Sequence, residues 1–222
     1  MDFDILVPFL ILVVVGTLMV IGVIVSMLAE RKRREAVRHV ADEMGLAFHE
    51  NGDPDLAERL SVLPLFAKGV GKRTANMICG DTEEMLMGVC DYRYTVGGGK
   101  NSHTYNQSIA FFQAPDLHLP LFELRPRSFF HGLGRIFGQK GIDFETHPRF
   151  SKNYLVLGPD EERLRALFDF ELLTALEQKE EICLQGRNQD FVFFRHATLV
   201  EPRELKELMR EGFEFFQMLR RE

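Results

Sequence analysis

From Ile5 to Leu28 the chain reads Ile-Leu-Val-Pro-Phe-Leu-Ile-Leu-Val-Val-Val-Gly-Thr-Leu-Met-Val-Ile-Gly-Val-Ile-Val-Ser-Met-Leu, without one charged side chain. As a helix rising about 1.5 Å per residue this stretch reaches roughly 36 Å, enough to cross a hydrocarbon core of about 30 Å with some tilt. A core helix of that length in a soluble protein needs apolar cover on every side. A cleaved signal peptide needs a basic start, a shorter apolar run and small residues before the cut. Here Asp2 and Asp4 precede the run, and a cut after Ala29 puts the bulky Met27 where a small residue is wanted. The stretch therefore reads as a single transmembrane helix. Gly16 and Gly22 lack the small-xxx-small spacing of a helix-pairing face, so no dimer follows from them.

Orientation follows from the flanks. Glu30 is followed by Arg31, Lys32, Arg33 and Arg34, with Arg38 one turn further, whereas the N-terminal tail is acidic. The positive-inside bias places that tail outside and everything from Arg31 onward in the cytoplasm. The expected order is an extracytoplasmic tail at 1–4, a transmembrane helix at 5–28, a basic juxtamembrane helix at 29–44 and a cytoplasmic domain at 45–222. A candidate subdomain boundary falls near 138–150. The chain would then be a single-pass protein of the inner cell membrane, with the lipid bilayer as its first partner. Arg31, Lys32, Arg33 and Arg34 form the flank that sets this topology, and anionic headgroups are within their reach.

The part beyond the anchor is large enough for one sizeable domain. The net charge of −6, from 33 acidic and 27 basic residues, and the lack of a further basic stripe argue against nucleic acid as a partner. An apolar content of 45%, with 20 Phe and no Trp, belongs to a packed core rather than a disordered tail. Cys79, Cys90 and Cys183 have no CxxC spacing and sit in apolar, strand-like runs, which suits reduced thiols in a cytoplasmic domain.

Periodicity then predicts an α+β fold of mostly antiparallel sheet with helices packed on it. Ala36, Val37, Val40, Ala41 and Met44 recur at helical spacing up to Gly45, a natural C′ stop. Leu46–His49 alternates as a short strand, and Asp53-Pro54 caps a short helix. A strand meander follows from Ala75 to Ala114. In its long middle strand Leu86, Cys90, Tyr92, Tyr94 and Val96 share one face, while Asp91, Arg93 and Thr95 take the other. The glycine-rich tip Gly97–Thr104 reads as a hairpin loop. Strands are expected at Leu119–Arg125 and Phe150–Leu157, and helices after Pro159 and Asp169. A hairpin Ile182–Gln185/Phe191–Arg195 around Gly186–Gln189 comes next. A last helix from Pro202 buries Leu205, Leu208, Met209, Gly212, Phe215, Phe216 and Leu219.

Several local patterns carry chemistry in other proteins. Gly69-Val70-Gly71-Lys72-Arg73-Thr74 suggests a phosphate loop, yet Phe66 stands in place of the first Gly and Arg73 in place of Ser/Thr. Asp143, Glu145 and His147 share a face if their segment is extended, but without a fourth ligand no metal is expected, and no cofactor is. Around residues 128–137, Phe129, Phe130, Leu133, Ile136 and Phe137 cluster on one side of a helix. Arg125, Arg127, His131, Arg135 and Lys140 surround them. Such a basic, aromatic helix either lies on a membrane surface or docks its rings as core.

Ile142-Asp143-Phe144, Phe150-Ser151-Lys152-Asn153-Tyr154-Leu155-Val156, Glu161, Ala166-Leu167-Phe168 and Leu172-Leu173 together resemble a pattern in an uncharacterised, domain-of-unknown-function family of bacterial membrane proteins. The similarity covers mainly the C-terminal half. Asp91-Tyr92-Arg93-Tyr94-Thr95 with its glycine-rich tip is similar to segments of such proteins as well. The resemblance implies a bacterial, membrane-anchored α+β protein and carries no catalytic residues with it.

No nucleophile elbow, zinc-protease motif or kinase signature is present. The expectation is a non-enzymatic module that binds another protein or the membrane surface. The alternatives are a small-ligand sensor domain, or an enzyme whose site is assembled from dispersed residues such as Asp91, Arg93 and His103.

Overall fold

The computed structural model describes residues 3–128 and 141–220, with side chains from Leu10 onward. Its first element, α1 (Phe3–Met44), is one unbroken helix of 42 residues. Its apolar part from Leu10 to Leu28 is exposed along its whole length, and it is long and apolar enough to cross a membrane. Burial against the rest of the protein begins past Leu28, and Val37 and Ala41 are fully buried. Nothing between Leu28 and Met44 breaks the helix, because neither Pro nor Gly occurs there. It stops at Gly45, whose φ of +66° suits a residue without Cβ, and the amide of Leu46 closes the end on the carbonyl of Ala41 at 3.0 Å.

After α1 come β1 (Ala47–His49), α2 (Pro54–Arg59), α3 (Pro64–Ala67), β2 (Val70–Asp81), β3 (Leu86–Val96), β4 (His103–Gln113) and β5 (Leu119–Pro126). The second half holds α4 (Pro148–Asn153), β6 (Tyr154–Leu157), α5 (Glu161–Leu167), α6 (Phe170–Glu177), β7 (Ile182–Asn188), β8 (Asp190–Arg195) and α7 (Leu205–Leu219). Among the described residues the strands form one antiparallel sheet in the order β1-β2-β3-β4-β8-β7-β5-β6. The C-terminal hairpin slots between β4 and β5, so strands from both sides of residues 138–150 share that sheet. The protein is an α+β fold with a long apolar helix at its N-terminal end.

Each sheet face is covered by different elements. The end of α1, with α5, α6 and α7, packs on Ile78, Val89, Ala110, Phe112, Phe122 and Leu184. The strap formed by α2, the turn after it and α3 packs Leu56, Leu60 and Phe66 against Cys90, Tyr92, Tyr94, Phe111 and Phe194. The alternation expected in β3 is realised, with the tyrosines towards the strap and Val89 and Asp91 towards α1. Aromatic rings fill much of both layers: Phe112 stacks on Phe216 with centroids 5.3 Å apart, and Phe193 on Phe215 at 5.9 Å. Fully burying a side chain of this size contributes about 1.5–3 kcal/mol.

Three local expectations need correction. Phe150 is not in a strand: Pro148 starts a helical turn that lasts to Asn153, and only Tyr154–Leu157 pairs with β5. That turn points Phe150 into the core beside Phe144 and Tyr154, with centroids at 5.7 and 5.5 Å. The last hairpin is tighter than expected, with Arg187 already opposite Asp190 and Asn188 at φ +52°, a conformation a short amide side chain tolerates. Arg125 does not sit on an exposed basic collar but is buried on β5 at 4% exposure. The residues of the suggested membrane-surface helix, Phe129, Phe130, Leu133, Arg135, Ile136 and Phe137, lie outside the described residues.

Candidate functional site at the helix–sheet junction

Where α1 reaches the sheet, its four-residue basic run divides. Arg31 and Lys32 are exposed, whereas Arg33 and Arg34 are drawn in. Arg33 lies one and two helical repeats ahead of Val37 and Ala41, so the stripe that buries those residues also aims its guanidinium at the sheet. Its Nε and Nη2 each donate to Asp91 at 2.7 Å, and its Nη1 donates to the carbonyl of Val200 at 2.9 Å. Asp91 also accepts from Asn76 Nδ2 at 2.9 Å and from the Ser108 hydroxyl at 3.1 Å. Ser108 Oγ in turn accepts the amide of Val200 at 3.1 Å. Asn76 is placed for this by a bulge in β2 between Ala75 and Ile78, where it adopts φ +48°. Arg34 pairs with Glu50 at 2.7 Å.

The result is a charge-assisted node joining α1, β2, β3, β4 and the loop before α7. With side-chain exposures of 17% for Arg33 and 14% for Asp91, the pair is screened far less than a surface ion pair. Asp91 has its lone pairs occupied by four donors, which suits positioning rather than proton abstraction. Arg93 lies on the same face of β3 as Asp91, whereas His103 stands opposite Val96 at the start of β4, exposed. The dispersed trio is therefore not brought together into a catalytic arrangement.

Hollows flank α1 on both sides. One, of about 430 Å³, is lined by Ser26, Glu30, Arg73, Arg93, Thr104 and Asn106 along with the node itself. The other, of about 750 Å³, lies between α1 and the segment leading into α7. Its lining includes Ala36, Val40 and Leu199 together with Lys32, Arg203 and Lys206.

On the strap face a second polar cluster is buried. Gln185 Oε1 accepts the amide of Leu65 at 2.8 Å, and its Nε2 donates to Glu123 Oε1 at 3.3 Å. Lys68 Nζ reaches the same oxygen at 3.5 Å, and Arg125 Nη1 stands 3.9 Å from it. Glu123 Oε2 and Arg125 Nε and Nη1 have no hydrogen-bond partner among the described residues. The hollow beside them measures about 10 Å³, the room of one water rather than of an organic ligand. Burial pulls the Lys68 ammonium below its ordinary pKa, against the opposing pull of Glu123. Burial, with help from Lys68 and Arg125, also lowers His196. Burial pushes the Cys183 thiol well up, which makes it a poor nucleophile.

The remaining sequence patterns have structural roles. Gly69 to Thr74 leads into and begins β2, not a helix, so no phosphate loop forms. Asp143, Glu145 and His147 do not share an extended face. Arg127 pairs with Asp143, while His147 is buried with its ring nitrogens 3.0 Å from Thr146 Oγ1 and 3.2 Å from Thr174 Oγ1. Among the described residues no three His, Cys, Asp or Glu side chains gather as metal ligands. The Arg33–Asp91 node is not legible in the sequence, where Asp91 falls on the polar side of β3 and Arg33 within a run of four cations.

No protein-family profile and no curated protein matches the chain. Its fold is similar to the crystal structure of the mycobacterial trehalose monomycolate transport factor A, TtfA. The TM-score is 0.55 at 13% sequence identity, and the match covers 86% of this chain and 93% of that one. At such low identity the likeness is one of fold.

Proposed function

We propose that the protein is a single-pass anchor of the inner membrane whose α+β domain faces the cytoplasm and acts as a non-enzymatic interaction module. Arg31 and Lys32 remain exposed just past the apolar span, as a positive-inside flank requires. The observation that carries the reading is the unbroken run of α1 into the Arg33–Asp91 node. A flexible linker would let a tethered domain tumble, whereas a continuous helix locked to the sheet fixes which face meets the bilayer and which meets a partner. The fold shared with a protein described as a trehalose monomycolate transport factor is compatible with such a module. The same reading keeps the likeness to uncharacterised bacterial membrane proteins as a working assignment.

The test is cross-linking and affinity recovery of the full-length protein from membranes, with a compartment reporter fused behind Glu222. The expected result is a membrane pellet, a reporter active only in its cytoplasmic form, and a specific co-recovered membrane protein. A protein left in the supernatant after high-speed centrifugation, or a reporter active only outside, overturns the placement.

A further inference from the structure

The hollow between α1 and the meander contains a pair of arginines that the fold leaves without counter-charge. Arg73 on β2 and Arg93 on β3 are directly opposite one another in the register, and Asn106 is opposite Arg93 on β4. Like charges in this cross-strand position repel. Neither arginine forms an ion pair among the described residues. The nearby carboxylates are not free to relieve them, since Asp91 is saturated by its four donors and Glu50 is paired with Arg34. Glu30 is the one remaining acidic lining residue, set against two unpaired guanidinium groups. One row further towards the hairpin tip, the hydroxyls of Thr95 and Thr104 meet at 2.9 Å, and Thr104 also lines the hollow. A hollow of about 430 Å³ holding two planar guanidinium forks, an amide and a hydroxyl is built to take a phosphate oxyanion.

Its position identifies the source of that phosphate. The lining begins at Ser26, inside the apolar stretch, and continues through Glu30 to Arg33. If the stretch spans the bilayer as proposed above, the hollow opens at headgroup depth, beside the last turn within lipid. We infer that Arg73 and Arg93 bind the phosphate of an anionic phospholipid headgroup in this hollow. The inference rests on the membrane placement, and the bound lipid adds a specific contact to the general attraction of Arg31 and Lys32 for an anionic surface.

The experiment uses the full-length protein in nanodiscs of phosphatidylcholine containing a photoactivatable phosphatidic acid, with inorganic phosphate as competitor. Wild type is expected to cross-link within the hollow. Arg73→Gln with Arg93→Gln is expected to lower labelling at least about tenfold, the order expected for losing charge-assisted bonds to a phosphate. Arg31→Gln with Lys32→Gln, which removes only exposed charge, is expected to keep most of it. Since Arg73 and Arg93 are exposed and repel, the first double variant is expected to melt no lower than wild type in phosphate-free buffer. Equal labelling of wild type and the arginine double variant overturns the inference while leaving the membrane placement standing. Abolition of labelling by millimolar inorganic phosphate overturns the lipid source. Failure of wild type to enter nanodiscs overturns placement and inference together.

Discussion

Arg33 on α1 and Asp91 on β3, 58 positions apart in sequence, meet through two parallel 2.7 Å bonds in which guanidinium and carboxylate face each other fork to fork. Because each is mostly screened from water, removal of either leaves the other's charge without its counter-ion. The neutral partners that remain, Asn76 and Ser108 for Asp91 or the Val200 carbonyl for Arg33, offset only part of its desolvation cost. Arg33→Ala and Asp91→Ala are each expected to cost about 2–4 kcal/mol, and the double-mutant cycle with Arg33→Ala/Asp91→Ala to give a coupling of about 2 kcal/mol or more. Denaturant unfolding of the detergent-solubilised protein provides the measurement. A coupling under about 0.5 kcal/mol, typical of an exposed pair, would mean that the node does not lock the helix to the sheet.

Gly212 lies in the middle of α7, where a glycine normally costs a helix about 1 kcal/mol relative to alanine. Here a Cβ would stand 2.8 Å from Cε2 of Phe112 and 3.1 Å from Cβ of Phe193. The Phe112 ring cannot retreat, since Phe191, Phe213 and Phe216 surround it with centroids at 5.9, 6.1 and 5.3 Å. Overpacking should therefore outweigh the gain in propensity. Gly212→Ala is expected to lower stability by about 1–2 kcal/mol, read as a drop in melting temperature. A rise would show that α7 has room to shift outward.

Much of this architecture is legible in the sequence, and the reasons are local. Gly45, Asp53-Pro54 and Asp169 act as caps through their own backbone and side-chain chemistry, and the structure uses all of them. The buried face of α7 and the two faces of β3 follow from periods of 3.6 and 2. What could not be read depends on partners distant in the chain. Phe150 has the composition of a strand residue, yet Pro148 and the pull of Phe144 and Tyr154 make its segment helical. Arg33 looks like one cation in a topology signal, and only the sheet register brings Asp91, Asn76 and Ser108 beneath it. Arg73 opposite Arg93 is likewise a fact of register rather than composition.

The buried cluster on the strap face makes a different prediction. Glu123 stands between Lys68 and Arg125 as the acidic residue lining that hollow, at 2% exposure. Glu123→Gln keeps the shape but leaves two buried cations facing each other, and is expected to cost about 3 kcal/mol. Adding Lys68→Met in that background removes one cation and should recover part of the loss. If the second change instead deepens the loss, the stem of Lys68 matters more through packing than through charge.

Glu211 on α7 yields a pH dependence with a definite sign. Burial alone would raise its pKa, but Arg195 at 2.7 Å and Lys179 at 3.0 Å outweigh it and hold the carboxyl below the usual glutamate value. The unfolded chain therefore takes up this proton at a higher pH than the folded protein does. The contribution to stability is complete above the ordinary value of about 4.3 and drains away as pH falls through the depressed folded value. Glu211→Gln should accordingly melt below wild type at pH 6 to 7, with the gap narrowing as pH drops from about 4.5 towards 3. Melting curves of both proteins across that range test it. A gap that stays constant with pH would assign the role of Glu211 to shape and hydrogen bonding, and remove its charge from the account of how α7 is held against β8.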